Sequence, residues 1–303
     1  MTDDEDLSRL FAQAGCRGWL CVSDVDGPGE VSAGGDEPVV AASVFKVAVA
    51  LEVLTQGANG LLDLSERVRV PPGRRTAGPT GLSVFSDEAE LSVRDLTMMM
   101  LTVSDNAATD VLIDLAGLAS VQASLARLGL PGTQVPGPLR DELDSIGQDV
   151  GFAGWDALAT ASLSAAEEQR VREALPRARA LDPRRAIRTT PRETAALLRL
   201  IWRDEAGPAA ACAQVRQMMG RQVTRQRLAL GFPRGGVQVA AKSGSLLGII
   251  RNEAGVVTMP DGRRYAAAVF TRASRAYDRE HEIDAAIGAA AARAVGYLGR
   301  RPR

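Results

Sequence analysis

The chain has 303 residues, of which 46% are apolar and 24% are charged, and its formal net charge at pH 7 is -1. This composition is typical of a folded globular protein and excludes general disorder. The near-zero charge does not favour a nucleic-acid partner, and no run of about 18 apolar residues is present to span a membrane.

The N-terminal residues are acidic where a secretory signal would be basic, and no apolar segment follows them. The cysteines are odd in number, and the spacing of Cys16, Cys21 and Cys212 does not suit a metal site. We therefore expect a cytoplasmic, reduced protein that has no membrane or nucleic-acid partner.

The first predicted elements are a strand and a central helix. Residues 18–25 predict a strand that ends in a glycine- and proline-rich turn. Residues 44–54 are almost all apolar, which predicts a helix buried on every side, with Ser43 at its N-terminal edge. Residues 71–81 are rich in glycine and proline and predict a loop.

Helix start and stop signals dominate the middle of the chain. Side chains that cap helix N-termini come before apolar runs at Ser92, Ser164 and Thr190, each with an acidic residue three positions later. Gly117 predicts the end of a helix that begins after Ser104-Asp105-Asn106. The helix that starts after Thr190 should run to about residue 203.

The chain returns to strands after Gly231. A three-stranded meander is predicted over residues 237–241, 248–259 and 265–271, with a hairpin turn at Asp261-Gly262. A long alanine-rich helix over 278–298 follows. Because strands lie at both ends and helices between them, we predict an α/β (α+β) fold with one antiparallel sheet built from both termini.

We expect a single unit with two parts. Residues 1–40 and 230–303 form an α/β subdomain, and residues 41–229 form a helical subdomain. The only histidine, His281, lies among charged residues near the start of the C-terminal helix, and it is best explained as an exposed surface residue. A Ser-His-Asp triad and a histidine metal site are therefore disfavoured, and no metal or cofactor is expected.

Lysine is the most informative residue type, because only two of the 36 Lys and Arg residues are lysines. Arginine does not deprotonate in proteins, so a retained lysine indicates a need for an amine that can. Lys46 lies one helical turn after Ser43, and burial would lower its pKa, so it can accept the serine proton. The alternative is a capping serine with a coincidental lysine.

The second lysine begins the sequence Lys242-Ser243-Gly244-Ser245 at the end of a predicted strand. Lys242 can attract an anionic substrate, Gly244 lets a ligand approach the strand edge, and the Ser245 N–H can stabilise an oxyanion. Both lysines thus fall in motifs that suit a serine nucleophile.

Ser104-Asp105-Asn106 completes the set of motifs. Ser104 would relay a proton to the leaving group, held in place by Lys242, and Asn106 would bind a substrate amide. Taken alone, these three residues are equally well explained as a turn and a helix cap.

Together the three motifs resemble those of class A β-lactamases and the penicillin-binding proteins. The resemblance covers most of residues 17–135 and 186–300. It implies a catalytic set of Ser43, Lys46, Ser104 and Lys242, with Asn106 and residues 243–245 binding substrate. It also implies that Arg251 helps to bind a substrate carboxylate, although an exposed strand arginine is the alternative.

The chain departs from the class A pattern between Ser104 and Lys242, which lie 138 positions apart, more than is usual. An insertion is expected near residues 138–186, where the Glu-x-x-Leu-Asn sequence that supplies the deacylating glutamate is missing. Glu142, Glu173 and Asp182 are possible replacements.

These observations predict a serine hydrolase that forms an acyl-enzyme on Ser43 with a small β-lactam, ester or amide, its substrate bearing a carboxylate. Two alternatives stay open. One is a peptidase or acyl transferase resembling the penicillin-binding proteins. The other is a ligand-binding sensor that does not turn over.

Overall fold

The computed structural model describes residues 4–233 and 235–300. The helices within that range are α1 Asp4–Gln13, α2 Lys46–Ala58, α3 Val93–Thr102, α4 Asn106–Ala116, α5 Leu118–Arg127, α6 Leu139–Asp149, α7 Trp155–Ala159, α8 Ala165–Ala174, α9 Pro191–Trp202, α10 Ala209–Met219 and α11 Glu280–Leu298. The strands are β1 Cys16–Asp24, β2 Glu30–Ala33, β3 Val39–Val40, β4 Arg67–Val70, β5 Ala89–Ser92, β6 Arg188–Thr189, β7 Gln238–Leu246, β8 Ile250–Thr258 and β9 Arg264–Ala273.

Five strands form one antiparallel sheet in the order β2-β1-β9-β8-β7, so strands from both ends of the chain lie side by side. Both faces of the sheet are covered. On β1, Leu20 and Val22 face the apolar cluster under α1 and α11, while Cys21 faces the cluster around α2 and α9. The predicted α/β fold with a sheet assembled from both termini is confirmed.

Helix α2 lies in the centre of the helical part, as its apolar sequence predicts. Every residue from Lys46 to Leu54 is buried. A short 3₁₀ turn, Ala42–Phe45, precedes it and carries Ser43. Ala42 adopts a left-handed φ of 43°, which is unusual for a residue with a Cβ and sets the angle at which the chain enters the turn.

The predicted helix caps form. Ser92 accepts a hydrogen bond from Asp95 N–H at the start of α3, and Thr190 accepts one from Glu193 N–H at the start of α9. The capping box formed by Ser164 and Glu167 at the start of α8 is also present. Gly117, at a φ of 84°, separates α4 from α5.

Strand β7 is longer than its apolar pattern predicts, so Lys242-Ser243-Gly244 lies within the strand rather than at its end. It is an edge strand of the sheet, paired only with β8. The segment 138–186 contains α6, α7, α8 and two 3₁₀ turns. Among the described helices, none is by itself long and apolar enough to cross a bilayer; α4 and α5 reach that length only together, across an 80° bend.

Candidate active site

Ser43 is presented by the 3₁₀ turn that leads into α2. The first hydrogen bond of the turn runs from Val44 N–H to Ala41 O, so the Ser43 N–H precedes the bonded groups and is unpaired. Strand β7 packs closely against this turn. A Cβ placed on Gly244 would lie 3.1 Å from both Ala41 O and Ser43 N. Glycine is therefore favoured there by the limited space rather than by backbone angle.

The free edge of β7 offers a second N–H beside Ser43. Ser243 N–H donates to the Gln222 side chain, so it points away from β8. Because backbone N–H directions alternate along a strand, the Ser245 N–H points to the same side. Two N–H groups, of Ser43 and Ser245, thus stand where they can donate to a developing oxyanion.

The Lys46 ammonium is completely buried and makes three hydrogen bonds. It donates to Ser104 O at 2.8 Å, Ser104 Oγ at 3.3 Å and Asn106 Oδ1 at 2.7 Å. Burial lowers the pKa of Lys46 to about 7, against the opposing charges of Asp105 and Asp110. The amine therefore joins α2 to the Ser104 loop, and near neutral pH a large fraction of it is unprotonated.

Ser104 lies between α3 and α4 in a left-handed conformation, with a φ of 61°. The loop is fixed by Asp105, whose carboxylate accepts Leu82 N–H at 2.6 Å and Ala108 N–H at 3.0 Å. Asn106 donates from Nδ2 to Ala77 O at 2.8 Å. The structure thus brings Ser104 and Asn106 to Lys46, with the amide of Asn106 bridging two elements.

Lys242 is the other completely buried lysine. Its Nζ donates to Ser243 O at 2.8 Å, on the free edge of β7. Burial, together with the nearby charge of Lys46, holds the pKa of Lys242 well below its usual range. The effect of the Lys46 charge on Lys242 indicates that the two amines lie near each other.

Arg251 is paired with carboxylates of the protein itself. Its guanidinium is bound to both carboxylate oxygens of Asp284, at 2.9 and 2.6 Å, and to Glu280 at 2.6 Å. These partners lie on α11 and occupy all of its nitrogen atoms. The contact with a substrate carboxylate stays a prediction, and it would require breaking a buried ion pair.

A different arginine, Arg227, contacts strand β7. It donates to Gly244 O at 2.9 Å, to Ser245 Oγ at 2.7 Å and to Asn252 O at 2.7 Å, and it is 3% exposed. No motif around Arg227 in the sequence distinguishes it from the other arginines. It holds β7 and β8 together at the point where the Ser245 N–H is exposed.

Of the three candidate carboxylates, only Glu142 lies near the site. Glu142 Oε1 accepts Ile187 N–H at 2.9 Å, and Ile187 O accepts Ala41 N–H, two residues before Ser43. Burial raises the pKa of Glu142 to about 7, opposed by the Ile187 N–H and the charge of Lys46.

The other two carboxylates have partners on the surface. Glu173 is exposed on α8 and accepts a hydrogen bond from Gln169. Asp182 is paired with Arg184, which contributes to lowering the pKa of its carboxyl to about 2. Neither is placed to act on a group at Ser43.

Several residues that organise the site carry no sequence motif. Asp110 accepts N–H bonds from Leu139 and Arg140 at the start of α6, which fixes the helix that carries Glu142. Gln222 bridges Ser243 N–H to the buried carboxylate of Glu253, with 2.8 Å to Glu253 Oε1. These contacts join residues 21 to 31 positions apart, so periodicity could not have found them.

The described residues contain no cluster of three His, Cys, Asp or Glu side chains that could hold a metal ion. All three cysteines are buried and free. The groups that the structure places around Ser43 are lysine, serine and carboxylate side chains and backbone N–H groups.

Comparisons with known proteins identify the family and similar folds. Residues 4–298 match the β-lactamase enzyme family. The chain is 29% identical, over 97% of both chains, to "Beta-lactamase regulatory protein BlaB" of Streptomyces cacaoi. Its fold is similar to that of a β-lactamase from Sphaerobacter thermophilus, with a TM-score of 0.76, 24% identity and coverage of 99% of this chain and 100% of the other.

The fold is also similar to PBP-A, with a TM-score of 0.75, 22% identity and coverage of 97% of this chain and 96% of the other. The resemblance expected from the three motifs is confirmed by the match over nearly the whole chain. This protein belongs to the β-lactamase enzyme family.

Proposed function

We propose that this protein is a serine hydrolase that forms an acyl-enzyme on Ser43 with a small β-lactam, ester or amide. The observation that carries the proposal is the Lys46 amine. It is buried, its pKa is lowered to about 7, and it sits one helical turn after Ser43 while contacting Ser104 and Asn106. A base with a pKa near the working pH is well matched to proton transfer.

In the acylation step, Ser43 Oγ attacks the carbonyl carbon and its proton passes to neutral Lys46. The Ser43 and Ser245 N–H groups donate to the carbonyl oxygen as it becomes negative. Ser104, bonded to Lys46 at 3.3 Å, then gives its proton to the leaving nitrogen or oxygen and takes up the proton that Lys46 received, so the amine is neutral again. In the structure the three Lys46 bonds go to Ser104 and Asn106, so a rotation of the amine toward Ser43 Oγ accompanies the step.

The substrate we propose is a small molecule with a carboxylate. Lys242 Nζ donates to Ser243 O at the free edge of β7, so a carboxylate lying along this edge would attract the amine and favour its protonated form. Arg227, whose charge is paired with Asp284, holds this end of the strand through Ser245 Oγ.

The test is intact-mass spectrometry after incubation with penicillin G and, separately, with p-nitrophenyl acetate. Wild-type protein should gain the mass of one acyl group, and peptide mapping should locate it on Ser43. Ser43→Ala should gain none, whereas Ser120→Ala, a matched substitution on α5, should behave as wild type. Absence of a Ser43 adduct with both reagents would refute the proposal.

A second candidate function is a sensor that is acylated once and stays acylated. The regulatory name of the relative from Streptomyces cacaoi favours it, since that protein covers 97% of this chain. Turnover separates the two functions. A stoichiometric burst of hydrolysis without further cycles indicates a sensor, and steady hydrolysis indicates an enzyme.

A third possibility is a peptidase or acyl transferase of the penicillin-binding type. It differs from the leading proposal in its substrate, and release of D-alanine from an acyl-D-Ala-D-Ala peptide at a rate above that of simple esters would favour it.

A further inference from the structure

A cavity lies between the start of α6 and residues 179–187, and Glu142 forms part of its wall. We call it the back cavity. Its volume is about 280 Å³, and Gly137, Glu142, Ser145, Arg179, Arg185 and Ile187 contribute to its lining. A cavity of this size holds several water molecules, since one water needs only about 10–15 Å³ of such space.

The lining of the back cavity is suited to water. The guanidinium groups of Arg179 and Arg185 border the cavity and can hold water in place, whereas Ser145 Oγ already donates to Glu142 O at 2.7 Å. The Glu142 side chain keeps some solvent exposure because it borders the back cavity. One carboxylate oxygen is held by Ile187 N–H at 2.9 Å, and the described residues give the other oxygen no hydrogen-bond partner.

Glu142 also connects the back cavity to the nucleophile. Its carboxylate is linked through Ile187 to the backbone of Ala41, in two hydrogen bonds of 2.9 Å each. Asp110, which accepts a hydrogen bond from the first turn of α6 and does not line the cavity, acts electrostatically on Lys46, as Glu142 does. The carboxyl group therefore lies between the back cavity and the segment that carries Ser43.

We infer that the back cavity is the entrance through which the hydrolytic water reaches Glu142 during deacylation. This inference rests on the proposed acylation of Ser43. Once an acyl group occupies the space between Ser43 and the free edge of β7, water that entered there would have to pass the bound acyl group. The back cavity offers a route to Glu142 that the acyl group does not obstruct.

The step balances without any further reagent. The water oxygen bonds to the acyl carbonyl carbon while one of its protons passes to Glu142. The bond between that carbon and Ser43 Oγ then breaks, a proton returns to Ser43 Oγ, and the carboxylic acid product leaves. Glu142 ends as it began, and the back cavity supplies the next water.

The test fills the back cavity without altering Glu142. Ser145→Met extends a flexible chain into the space, and Ser145→Ala, the matched control, removes the same hydroxyl without filling it. Gly137→Leu and its control Gly137→Ala repeat the test from the loop before α6. A Cβ on Gly137 meets only the Asp141 side chain, at 3.3 Å, so both Gly137 variants should fold if Ser145→Met does not.

Each protein is given one pulse of penicillin G, and intact-mass spectrometry follows the gain and loss of the acyl group. We expect deacylation to slow about tenfold in Ser145→Met and Gly137→Leu, with acylation within about twofold of wild type. Both alanine controls should match wild type in both steps.

The outcomes separate this inference from the proposed function. Unchanged deacylation in a folded, cavity-filled variant overturns the back-cavity route and leaves acylation of Ser43 standing. A wild-type acyl-enzyme that never hydrolyses also overturns the route, and it favours the sensor function. Absence of any Ser43 adduct overturns both.

Discussion

Replacing Lys46 with methionine tests the central property of the site, an amine that loses its proton near neutral pH. Methionine keeps the length and the buried packing of the lysine but has no charge. In the unfolded chain the lysine pKa returns to about 10.5, whereas in the folded protein it is about 7. That difference corresponds to about 5 kcal/mol of unfavourable charge burial at pH values below both pKa values.

The sign of the pH dependence follows from proton binding. Between pH 7 and 10 the unfolded chain keeps the Lys46 proton and the folded protein has released it, so wild-type stability rises with pH. Below pH 7 both states are protonated and the cost is constant. Apart from Glu142 and Lys242, whose pKa values Lys46 itself influences, the groups common to the two proteins contribute equally. The stability of wild type relative to Lys46→Met should therefore rise by about 1.4 kcal/mol per pH unit from pH 8 to 9.5.

Urea unfolding, followed by the fluorescence of the three tryptophans, measures this difference at each pH. Below pH 6 we expect the variant to be the more stable protein, and the gap should close on the alkaline side. Parallel stability curves from pH 6 to 9.5 would mean that Lys46 stays protonated throughout. In that case it cannot act as the base for Ser43, and the mechanism above is wrong.

Three further predictions test the surroundings of Ser43. Gly244→Ala should slow acylation about tenfold with little loss of stability, because its Cβ presses on Ala41 O and Ser43 N at 3.1 Å; Gly73→Ala, with open space around it, should change neither. Arg227→Lys should lower the free energy of unfolding, measured in urea, by about 3 kcal/mol. The single ammonium group of lysine cannot make all the buried hydrogen bonds that the guanidinium makes to Asp284 and β7. Glu142→Gln should slow deacylation about 100-fold, measured as the lifetime of the acyl-enzyme. In wild type the deacylation rate should fall as the pH drops through about 7 and Glu142 becomes protonated, and this pH dependence should be absent from the variant.

The sequence predicts the parts of this site that depend on local patterns. Ser43 and Lys46 lie one helical turn apart on an apolar helix, and the Lys242 motif lies on a strand, so each could be placed from its own neighbourhood. The helix caps at Ser92 and Thr190 form for the same reason, since a cap needs only three or four consecutive residues.

The partners of charged groups could not be predicted in this way. Arg251 has the spacing of a substrate-binding arginine, but its partner Asp284 lies 33 positions later on α11, and only the fold brings the two together. Arg227 and Gln222 reach β7 through equally distant contacts. Helix α8 has no buried residue, so it offers no apolar face from which its position could be judged.

Acylation and deacylation, the two steps of the proposed reaction, depend on different parts of the chain. This separation matters for deciding whether the protein is an enzyme or a sensor. Acylation depends on Ser43, Lys46 and the edge of β7, which the sheet and the central helix α2 hold rigidly. Deacylation depends on Glu142, which belongs to a helix fixed at its start by Asp110. A small displacement of α6 would leave acylation intact and abolish hydrolysis. The lifetime of the Ser43 adduct therefore reports on the position of one carboxyl group, and it is the measurement that decides between the two functions.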